Sequence, residues 1–342
     1  MRAVRFHEHG DPDVLRYEDA PDPPARVNRV VVRVRACALN RLDLFQRRGL
    51  DRVRIPLPHI SGADIAGEIV SAGAQVSGWR AGDRVMLQPG LSCGVCAECL
   101  GGRDNRCASY DVFGYQCDGG YAELVSAPVQ NLIRLPDAID FTTAAAFPLV
   151  FLTAWHMLVT EGQLTEQQTV LVLAAGSGVG QAAVQIARAI GARVIATTGG
   201  EAKAARARSL GADEVIDHYS GDVLGRVKEL TGGRGVNLVI EHVGKATWDR
   251  SVRCLARGGR LVTCGATTGH EAALDLRHLF ARQLSIVGSY MGAKGELLRV
   301  AEWFFRGRVR PVIDRTFPLS EAAQAHRYLE SSVHFGKVVL VM

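Results

Sequence analysis

Residues 169–180 read Thr169-Val170-Leu171-Val172-Leu173-Ala174-Ala175-Gly176-Ser177-Gly178-Val179-Gly180, and this stretch decides the fold. The apolar run predicts a buried strand, and the glycine-rich segment predicts a tight turn into a helix that ends near Ile190. Aligned on Gly180, the turn departs from Gly-x-Gly-x-x-Gly, because Ala175 and Ser177 occupy the first two glycine positions. Strand, turn and helix in this order place backbone N–H groups where a pyrophosphate binds.

Strand-like runs continue on the C-terminal side of this unit and alternate with helical ones. The strands are expected at 193–197, 214–216, 236–240, 260–263 and 284–287, and the helices at 201–210, 222–230 and 246–256. This alternation predicts right-handed βαβ crossovers and a doubly wound parallel sheet. The chain is therefore expected to be of the α/β class, with this sheet domain over residues 151–290.

The remaining residues, 1–150 and 291–342, are expected to form a second, β-rich domain. Short β-branched runs at 29–36 and 64–70 are separated by proline and glycine. Helices are expected at 295–307 and 322–331, and a closing strand at 336–341 needs a sheet to join, for which the N-terminal β domain is the natural host.

Composition supports two folded domains and excludes several classes of protein. The 342 residues are 47% hydrophobic and 22% charged, and the net charge of +5 is spread thinly. We therefore expect neither nucleic acid nor a membrane as a partner. Residues 141–160 carry no charge, but Pro148, His156 and flanking acids favour a buried helix and turn over a membrane span. With no N-terminal secretory pattern, the cytoplasm is the expected compartment.

The strongest motif is Cys93-x2-Cys96-x2-Cys99-x7-Cys107. Four thiolates within fifteen residues suit one tetrahedral zinc, and a site filled by four protein sulfurs leaves no position for substrate. We therefore expect one structural Zn²⁺ per chain, in a lobe of about residues 90–110. Disulfides and an iron–sulfur cluster are the alternatives, and a reducing compartment disfavours the disulfides.

The second strand of the parallel sheet bears on the choice of cofactor. Where an NAD-binding turn carries Asp or Glu, this chain has Ala196-Thr197-Thr198-Gly199-Gly200, followed by Lys203. Without an acid to repel a 2′-phosphate, and with Tyr219 able to reach the ribose, NADPH is favoured and NADH stays possible. The alternative for Lys203 is a solvated helix residue.

The whole chain resembles the medium-chain dehydrogenase/reductase superfamily, in its quinone-oxidoreductase-like branch. The resemblance rests on residues 38–43, 61–67, 82–85, 118–123, 152–154, the glycine turn and residues 334–340. It implies a GroES-like catalytic domain divided in sequence by a Rossmann domain. It also implies a homodimer paired through the edge strand near 283–290, with a tetramer as the alternative. The resemblance and the turn together give these cofactor-binding residues: Thr153, Ser177, Gly178, Val179, Gly180, Thr197, Gly199, Lys203, Tyr219, Val243, Gly244, Gly265, Ala266 and Lys337.

The chain departs from the zinc alcohol dehydrogenases at the catalytic metal. Members with catalytic zinc carry Cys at the position of Asn40, His-Glu at Ala63-Asp64, and Cys or a substitute near Leu149. Because Asp64 alone cannot hold zinc in an open site, the resemblance implies an alcohol dehydrogenase-like structural zinc on a chain without catalytic zinc.

Without that metal, the reduction of enones, enals or quinones by hydride transfer from NADPH is the leading hypothesis. Asn40 is the candidate hydrogen-bond donor to the substrate oxygen, and Asp43 is the candidate residue that orders it. The alternatives are a backbone-satisfying amide for Asn40 and a helix cap for Asp43. An alcohol or aldehyde dehydrogenase using side-chain acid–base groups, and a non-catalytic NADPH-binding protein, are the other functions considered.

Overall fold

The computed structural model describes residues 1–24, 26–50 and 53–342. Its strands are β1 (Arg2–Arg5), β2 (Arg16–Asp19), β3 (Arg29–Ala38), β4 (Asp64–Ala72), β5 (Arg84–Leu87), β6 (Gly90–Leu91), β7 (Asp111–Val112), β8 (Leu124–Pro128), β9 (Leu132–Arg134), β10 (Thr169–Val172), β11 (Arg193–Thr198), β12 (Glu214–Asp217), β13 (Val236–Glu241), β14 (Leu255–Thr263), β15 (Ser285–Gly288), β16 (Ile313–Pro318) and β17 (Lys337–Val341).

The α-helices are α1 (Arg41–Arg48), α2 (Ala97–Leu100), α3 (Phe141–Ala145), α4 (Pro148–Trp155), α5 (Gly178–Ile190), α6 (Glu201–Ser209), α7 (Val223–Leu230), α8 (Trp248–Cys254), α9 (Leu276–Ala281), α10 (Lys294–Phe305) and α11 (Ala322–Glu330). The chain divides into two compact units. Unit 1 comprises residues 1–149, 293–305 and 310–342, and unit 2 comprises residues 150–292 and 306–309.

Unit 2 is a Rossmann-like parallel sheet with helices in its crossovers. Its six strands lie in the order β12-β11-β10-β13-β14-β15, and every neighbouring pair is parallel. The strands have apolar central residues because both faces of the sheet are covered, and Leu171, Ile195 and Val239 lie in the core. The strand order reverses at β10, where α/β sheets bind ligands beyond the carboxyl ends of the strands.

Most of the strands and helices predicted for unit 2 are present in the structure. Helix α5 has the predicted bounds, and it ends at Gly191 with φ +96°. Helix α8, expected to reach residue 256, stops at Cys254 because Leu255 already begins β14, which is longer than predicted. Strand β15 lies at the sheet edge, and dimerisation through this edge stays a prediction.

Unit 1 is built on a seven-stranded sheet, mostly antiparallel. The path runs β16-β17-β3-β4-β5-β9, and β8 also pairs with β3. The closing strand joins the N-terminal sheet as predicted, with Leu340 opposite Cys37. The sequence pattern did not reveal β16, an edge strand in which Phe317 is the one buried residue. This sheet brings Lys337, at the start of β17, beside the end of β3.

The uncharged stretch 141–160 folds as helix and turn, as predicted. It forms α3, α4 and a π-helical segment over His156–Glu161. Asp140 begins α3 by accepting a hydrogen bond from the backbone N–H of Thr143. None of the described helices is long and apolar enough to cross a membrane.

Candidate functional site

The glycine turn of unit 2 has a cap at the start of α5. Ser177 is the N-cap residue, and its hydroxyl accepts a hydrogen bond from the Gly180 N–H at 2.9 Å. A Cβ on Gly180 would lie 2.3 Å from the Ala174 carbonyl oxygen, so only glycine allows α5 this close to the turn. Gly178 and Val179 form the first turn, whose N–H groups have no acceptors within the helix. The turn therefore offers donors to an anion.

The carboxyl end of β11 is attached to that turn. The hydroxyl of Thr197 accepts from the N–H of Ala174 at 3.0 Å, and the Thr197 carbonyl accepts from Ala175 at 2.8 Å. Thr197 is buried, so its side chain supports the turn. No carboxylate stands among residues 196–200, where an NAD-binding turn would place one.

Gly199 and Tyr219 are in direct contact. A Cβ on Gly199 would lie 2.3 Å from Cε2 of Tyr219, so the phenol ring covers this backbone. Tyr219 remains 83% exposed, and His218 packs edge-on against it with ring centroids 4.4 Å apart. The positive charges of Arg250 and Lys203 contribute to lowering the pKa of His218, after the larger effect of burial. The carboxylate of Asp217 has the opposite effect on the His218 pKa, so Lys203 lies among charges of both signs beyond β11 and β12.

Glu241, which sequence reasoning did not identify, organises the loop after β13. Its buried carboxylate accepts from the N–H groups of Val243 at 2.6 Å and Gly244 at 3.0 Å. It also accepts from the hydroxyls of Thr247 and Ser251, both at 2.8 Å. These four hydrogen bonds to one carboxylate fix the loop that carries Val243 and Gly244, two of the predicted cofactor-binding residues.

Of the remaining predicted cofactor-binding residues, two lie near this loop and two lie in other parts of the chain. Gly265 and Ala266 follow β14, and a Cβ on Gly244 would lie 2.8 Å from the Cα of Ala266. Thr153 lies in α4, and its buried hydroxyl has no hydrogen-bond partner among the described residues. Lys337 belongs to unit 1. Cofactor binding by the predicted set stays a prediction.

The four cysteines of the motif converge in unit 1. Their sulfur atoms all lie within 4.8 Å of one another. The separations are 3.5 Å for Cys96–Cys99, 3.6 Å for Cys93–Cys107 and 3.9 Å for Cys93–Cys99. Zn–S bonds of ~2.3 Å in a tetrahedron give sulfur edges of ~3.8 Å, whereas a disulfide requires ~2.05 Å. The donor set fits a tetrahedral metal.

Backbone N–H groups act on one of the four sulfurs, and a hydrogen bond attaches the four-cysteine lobe to α10. The N–H groups of Val95 and Cys96 act on the Cys93 sulfur and, with the Cys107 thiol, lower the pKa of Cys93 to about 6. This favours the thiolate form that binds metal. Asp104 accepts from the backbone N–H of Lys294 at 2.9 Å, which attaches the lobe to the start of α10.

Lys337 hydrogen-bonds the side chains of Asn40 and Asp64. These two residues stand at positions where the resemblance places ligands of a catalytic zinc. The ammonium of Lys337 donates to Asn40 Oδ1 at 2.7 Å, Asp64 Oδ2 at 2.9 Å and the Leu39 carbonyl at 2.7 Å. Lys337 and Asp64 are 2% and 0% exposed. Asn40 Nδ2 donates to Asp64 Oδ2 at 2.9 Å, and Asp64 Oδ1 accepts from the Leu149 N–H at 2.7 Å. The Lys337 ammonium therefore engages the side-chain oxygens of Asn40 and Asp64 that a zinc ion would need as ligands.

Asp43 caps the first turn of α1. Its Oδ2 accepts from the backbone N–H of Asn40 at 2.8 Å and from the Tyr121 hydroxyl at 3.0 Å. Asp43 is fully buried, and burial raises its pKa to about 6. Its Oδ1 has no hydrogen-bond partner among the described residues. The structure thus places Asp43 next to Asn40, while a catalytic role for either stays a prediction.

Tyr121, His326 and Arg47 complete this buried group and were not identified from the sequence. Tyr121 stands in one of the motif segments, Asp118–Glu123, which was the one available signal. His326 and Arg47 are fully buried on α11 and α1, about 280 residues apart in sequence. A single sequence gives no indication that such distant polar residues meet.

Comparison with known proteins is consistent with both units. Residues 26–137 match the family described as alcohol dehydrogenase GroES-like domain, and residues 178–306 match zinc-binding dehydrogenase. A quinone oxidoreductase of Pseudomonas aeruginosa is 34% identical over 99% of each chain. A crystal structure titled NAD-dependent alcohol dehydrogenase is 44% identical over 100% of both chains, with a TM-score of 0.97. A crotonyl-CoA carboxylase/reductase is 27% identical, covering 100% of this chain and 88% of its own, with a TM-score of 0.93.

The chain belongs to the medium-chain dehydrogenase/reductase superfamily, as a GroES-like domain combined with a Rossmann-like parallel sheet. It is an oxidoreductase, and its relatives include quinone oxidoreductases and zinc-type alcohol dehydrogenases. Non-catalytic cofactor binding, considered from the sequence, is therefore not the function.

Proposed function

We propose that this oxidoreductase reduces quinones, or carbon–carbon double bonds conjugated to a carbonyl, with NADPH and without a catalytic metal. The observation that carries the proposal is the ammonium of Lys337, which hydrogen-bonds Asn40 Oδ1 and Asp64 Oδ2. An amide oxygen and a carboxylate already engaged by a cation are poor zinc ligands, and Leu149 and Ala63 contribute none.

The Lys337 ammonium and the Asn40 amide N–H suit a reaction in which negative charge develops on a carbonyl oxygen. Alcohol oxidation requires loss of the hydroxyl proton, a step that zinc assists strongly in the metal-dependent enzymes. Reduction of an enone requires a hydride at the β-carbon, donors for the enolate oxygen and a proton returned from solvent. NADPH, when bound, supplies the hydride.

Asn40 is the residue that we assign to the substrate oxygen. Its Oδ1 accepts from Lys337 and one Nδ2 hydrogen is donated to Asp64, which fixes the orientation of the amide. The other contact of Nδ2, to the Ala38 carbonyl, is long at 3.4 Å. This weakly engaged N–H is the donor available to a developing oxyanion, and the fixed charge of Lys337 increases its donor strength.

NADPH is proposed over NADH from the neighbourhood of β11. A 2′-phosphate would meet no carboxylate at 196–200, while Lys203 and Tyr219 offer charge-assisted hydrogen bonds. Such contacts contribute about 1–3 kcal/mol, a roughly 5- to 150-fold preference. Lys203→Ala should therefore raise KM for NADPH and leave KM for NADH nearly unchanged. Equal losses with both cofactors would assign Lys203 a structural role, and a wild-type preference for NADH would overturn this part of the proposal.

The four-cysteine lobe is proposed to hold one structural zinc. The sulfur separations of 3.5 to 3.9 Å support it. When bound, this zinc would stabilise a lobe whose residues 93–106 are all exposed or half-buried.

The second candidate function is metal-independent alcohol or aldehyde oxidation. It is favoured by the 44% identity to the structure titled NAD-dependent alcohol dehydrogenase. That name describes the other protein, and the Asn40–Lys337–Asp64 cluster is the reason that we prefer double-bond or quinone reduction.

One experiment separates the two candidates. The purified enzyme is tested against enones, enals, quinones and alcohols with each cofactor, and its zinc content is measured in parallel. We expect NADPH consumption with enones or quinones and one zinc per chain. Faster alcohol oxidation than enone or quinone reduction, or two zincs per chain, would overturn the proposal. Asn40→Leu should lower kcat, and Asn131→Leu is a matched control, because its amide serves the Gln88 and Gly90 carbonyls.

A further inference from the structure

A series of buried side chains leads from the surface of unit 1 to Asp43. Glu330 Oε1 accepts from Arg47 Nη2 at 2.5 Å, and Arg47 Nη1 lies 3.3 Å from His326 Nδ1. His326 Nε2 lies 3.3 Å from the Tyr121 hydroxyl, which lies 3.0 Å from Asp43 Oδ2. Arg47, Tyr121, His326 and Asp43 are all fully buried, so the contacts among these four are shielded from water, whereas Glu330 is 20% exposed.

The chemistry of arginine determines the direction of every hydrogen bond in this series. A guanidinium only donates, so His326 Nδ1 must be an unprotonated acceptor. Burial, and then the charge of Arg47, lower the pKa of His326 to about 3, so the ring is neutral and its proton is on Nε2. That N–H donates to Tyr121, whose hydroxyl hydrogen therefore points to Asp43. From Arg47 Nη1 onward, each donor therefore points toward Asp43, while Arg47 Nη2 points outward to Glu330.

The series therefore acts on the protonation of Asp43. Asp43 Oδ2 accepts from Tyr121 and from the Asn40 N–H, so a proton on this carboxyl would be placed on Oδ1. Burial raises the pKa of Asp43 to about 6, and the two hydrogen bonds oppose this effect. The ionisable groups that face it from other elements are Asp64 on β4, Lys337 on β17 and Cys37 on β3.

We propose that Tyr121, His326 and Arg47 are positioning residues of the candidate active site: they keep Asp43 ionised, and the charged carboxylate binds the backbone N–H of Asn40 more strongly and so holds the Asn40 backbone in place. This inference rests on the proposed role of Asn40. The series is not a path for protons, because Arg47 blocks His326 Nδ1 with an N–H that has no acceptor capacity. Its function is to set the acid limit of activity.

Tyr121→Phe tests the inference because it removes one hydroxyl and keeps the ring. Loss of a hydrogen bond to a carboxylate should move the acid limb of kcat/KM upward by roughly 1–2 pH units, from about pH 6 in the wild type. Tyr328→Phe is the matched control. It removes a hydroxyl that donates to Asp314 at 2.6 Å, also in unit 1, and should leave the limb unchanged.

An infrared titration gives a readout that does not depend on turnover. The protonated carboxyl band of Asp43, assigned by its loss in Asp43→Asn, should titrate at higher pH in Tyr121→Phe than in the wild type. An unchanged titration overturns the inference even if no substrate is found. A shifted titration with an unshifted acid limb in an active enzyme also overturns it. Inactivity with all enones and quinones would contradict the proposed function instead.

His326 distinguishes positioning from proton transfer. Gln carries an acceptor for Arg47 and a donor for Tyr121, but does not titrate. We expect His326→Gln to keep at least one third of the wild-type kcat and the same acid limb, and His326→Leu to shift the limb as Tyr121→Phe does. Equal losses of kcat in both His326 variants, with the fold retained by circular dichroism, would overturn the positioning role.

Discussion

Replacing Lys337 with Met removes a buried charge and keeps a side chain of similar length. Lys337 Nζ makes three hydrogen bonds, and its partner Asp64 is 0% exposed. Removing one member of a buried ion pair costs about 3–5 kcal/mol because the other charge loses its partner. Asp64 keeps the hydrogen bonds from Asn40 and Leu149. We therefore expect the lower end, about 3 kcal/mol, which is roughly a 150-fold change in an opening equilibrium.

The assay is alkylation of native, zinc-loaded enzyme, resolved by peptide mass spectrometry. Cys37 lies on β3 of unit 1 with a fully buried thiol, so its labelling requires opening of that unit. Cys254 is fully buried in unit 2 and is the internal control. In Lys337→Met we expect roughly 150-fold faster labelling of Cys37 and an unchanged rate for Cys254.

A second substitution tests the physical reason. In Lys337→Met with Asp64→Asn no unpaired charge remains, so most of the protection of Cys37 should return. The reasoning fails if Lys337→Met changes Cys37 labelling less than threefold. It fails equally if both cysteines respond alike, or if the second substitution restores nothing.

Three further outcomes are expected. Cys96→Ser should lower the melting temperature and the zinc content to below one per chain, with little change in kcat at saturating substrate; full zinc occupancy in the variant would contradict the four-cysteine site. Glu241→Ala should weaken cofactor binding by roughly tenfold, because the N–H groups of Val243 and Gly244 lose their acceptor, whereas Glu241→Gln should bind nearly as the wild type; equal fluorescence-titration constants for both variants would exclude this role. With a pKa of about 3 in the fold and ~6.5 unfolded, neutral His326 contributes stability at neutral pH that is lost as pH falls through the unfolded value. Its contribution falls by about 2 kcal/mol between pH ~7.5 and ~5. In His326→Gln the protection of Cys37 should therefore depend less on pH, and an unchanged pH dependence would refute the assignment.

The amino-acid sequence by itself determined the elements and the local motifs. The strands of unit 2 contain short apolar runs that the sequence shows directly. The bounds of α5 follow from Ser177 at its start and Gly191 at its end, because capping is local chemistry. The four cysteines lie within fifteen residues, so their spacing alone predicts one metal-binding group. The absence of Asp or Glu from residues 196–200, at the end of β11, is likewise a local feature that the sequence shows directly.

Only the tertiary structure decided which distant polar residues meet. The pairing of β17 with β3 brings Lys337 to Asn40, 297 positions away in sequence, and turns three unrelated residue types into one charged cluster with Asp64. The packing of α11 and α1 brings His326 to Arg47 in the same manner. Burial then gives these contacts their effect, because removal from water raises the pKa of Asp43 and lowers that of His326, and no pattern in a single sequence reports on burial of this kind.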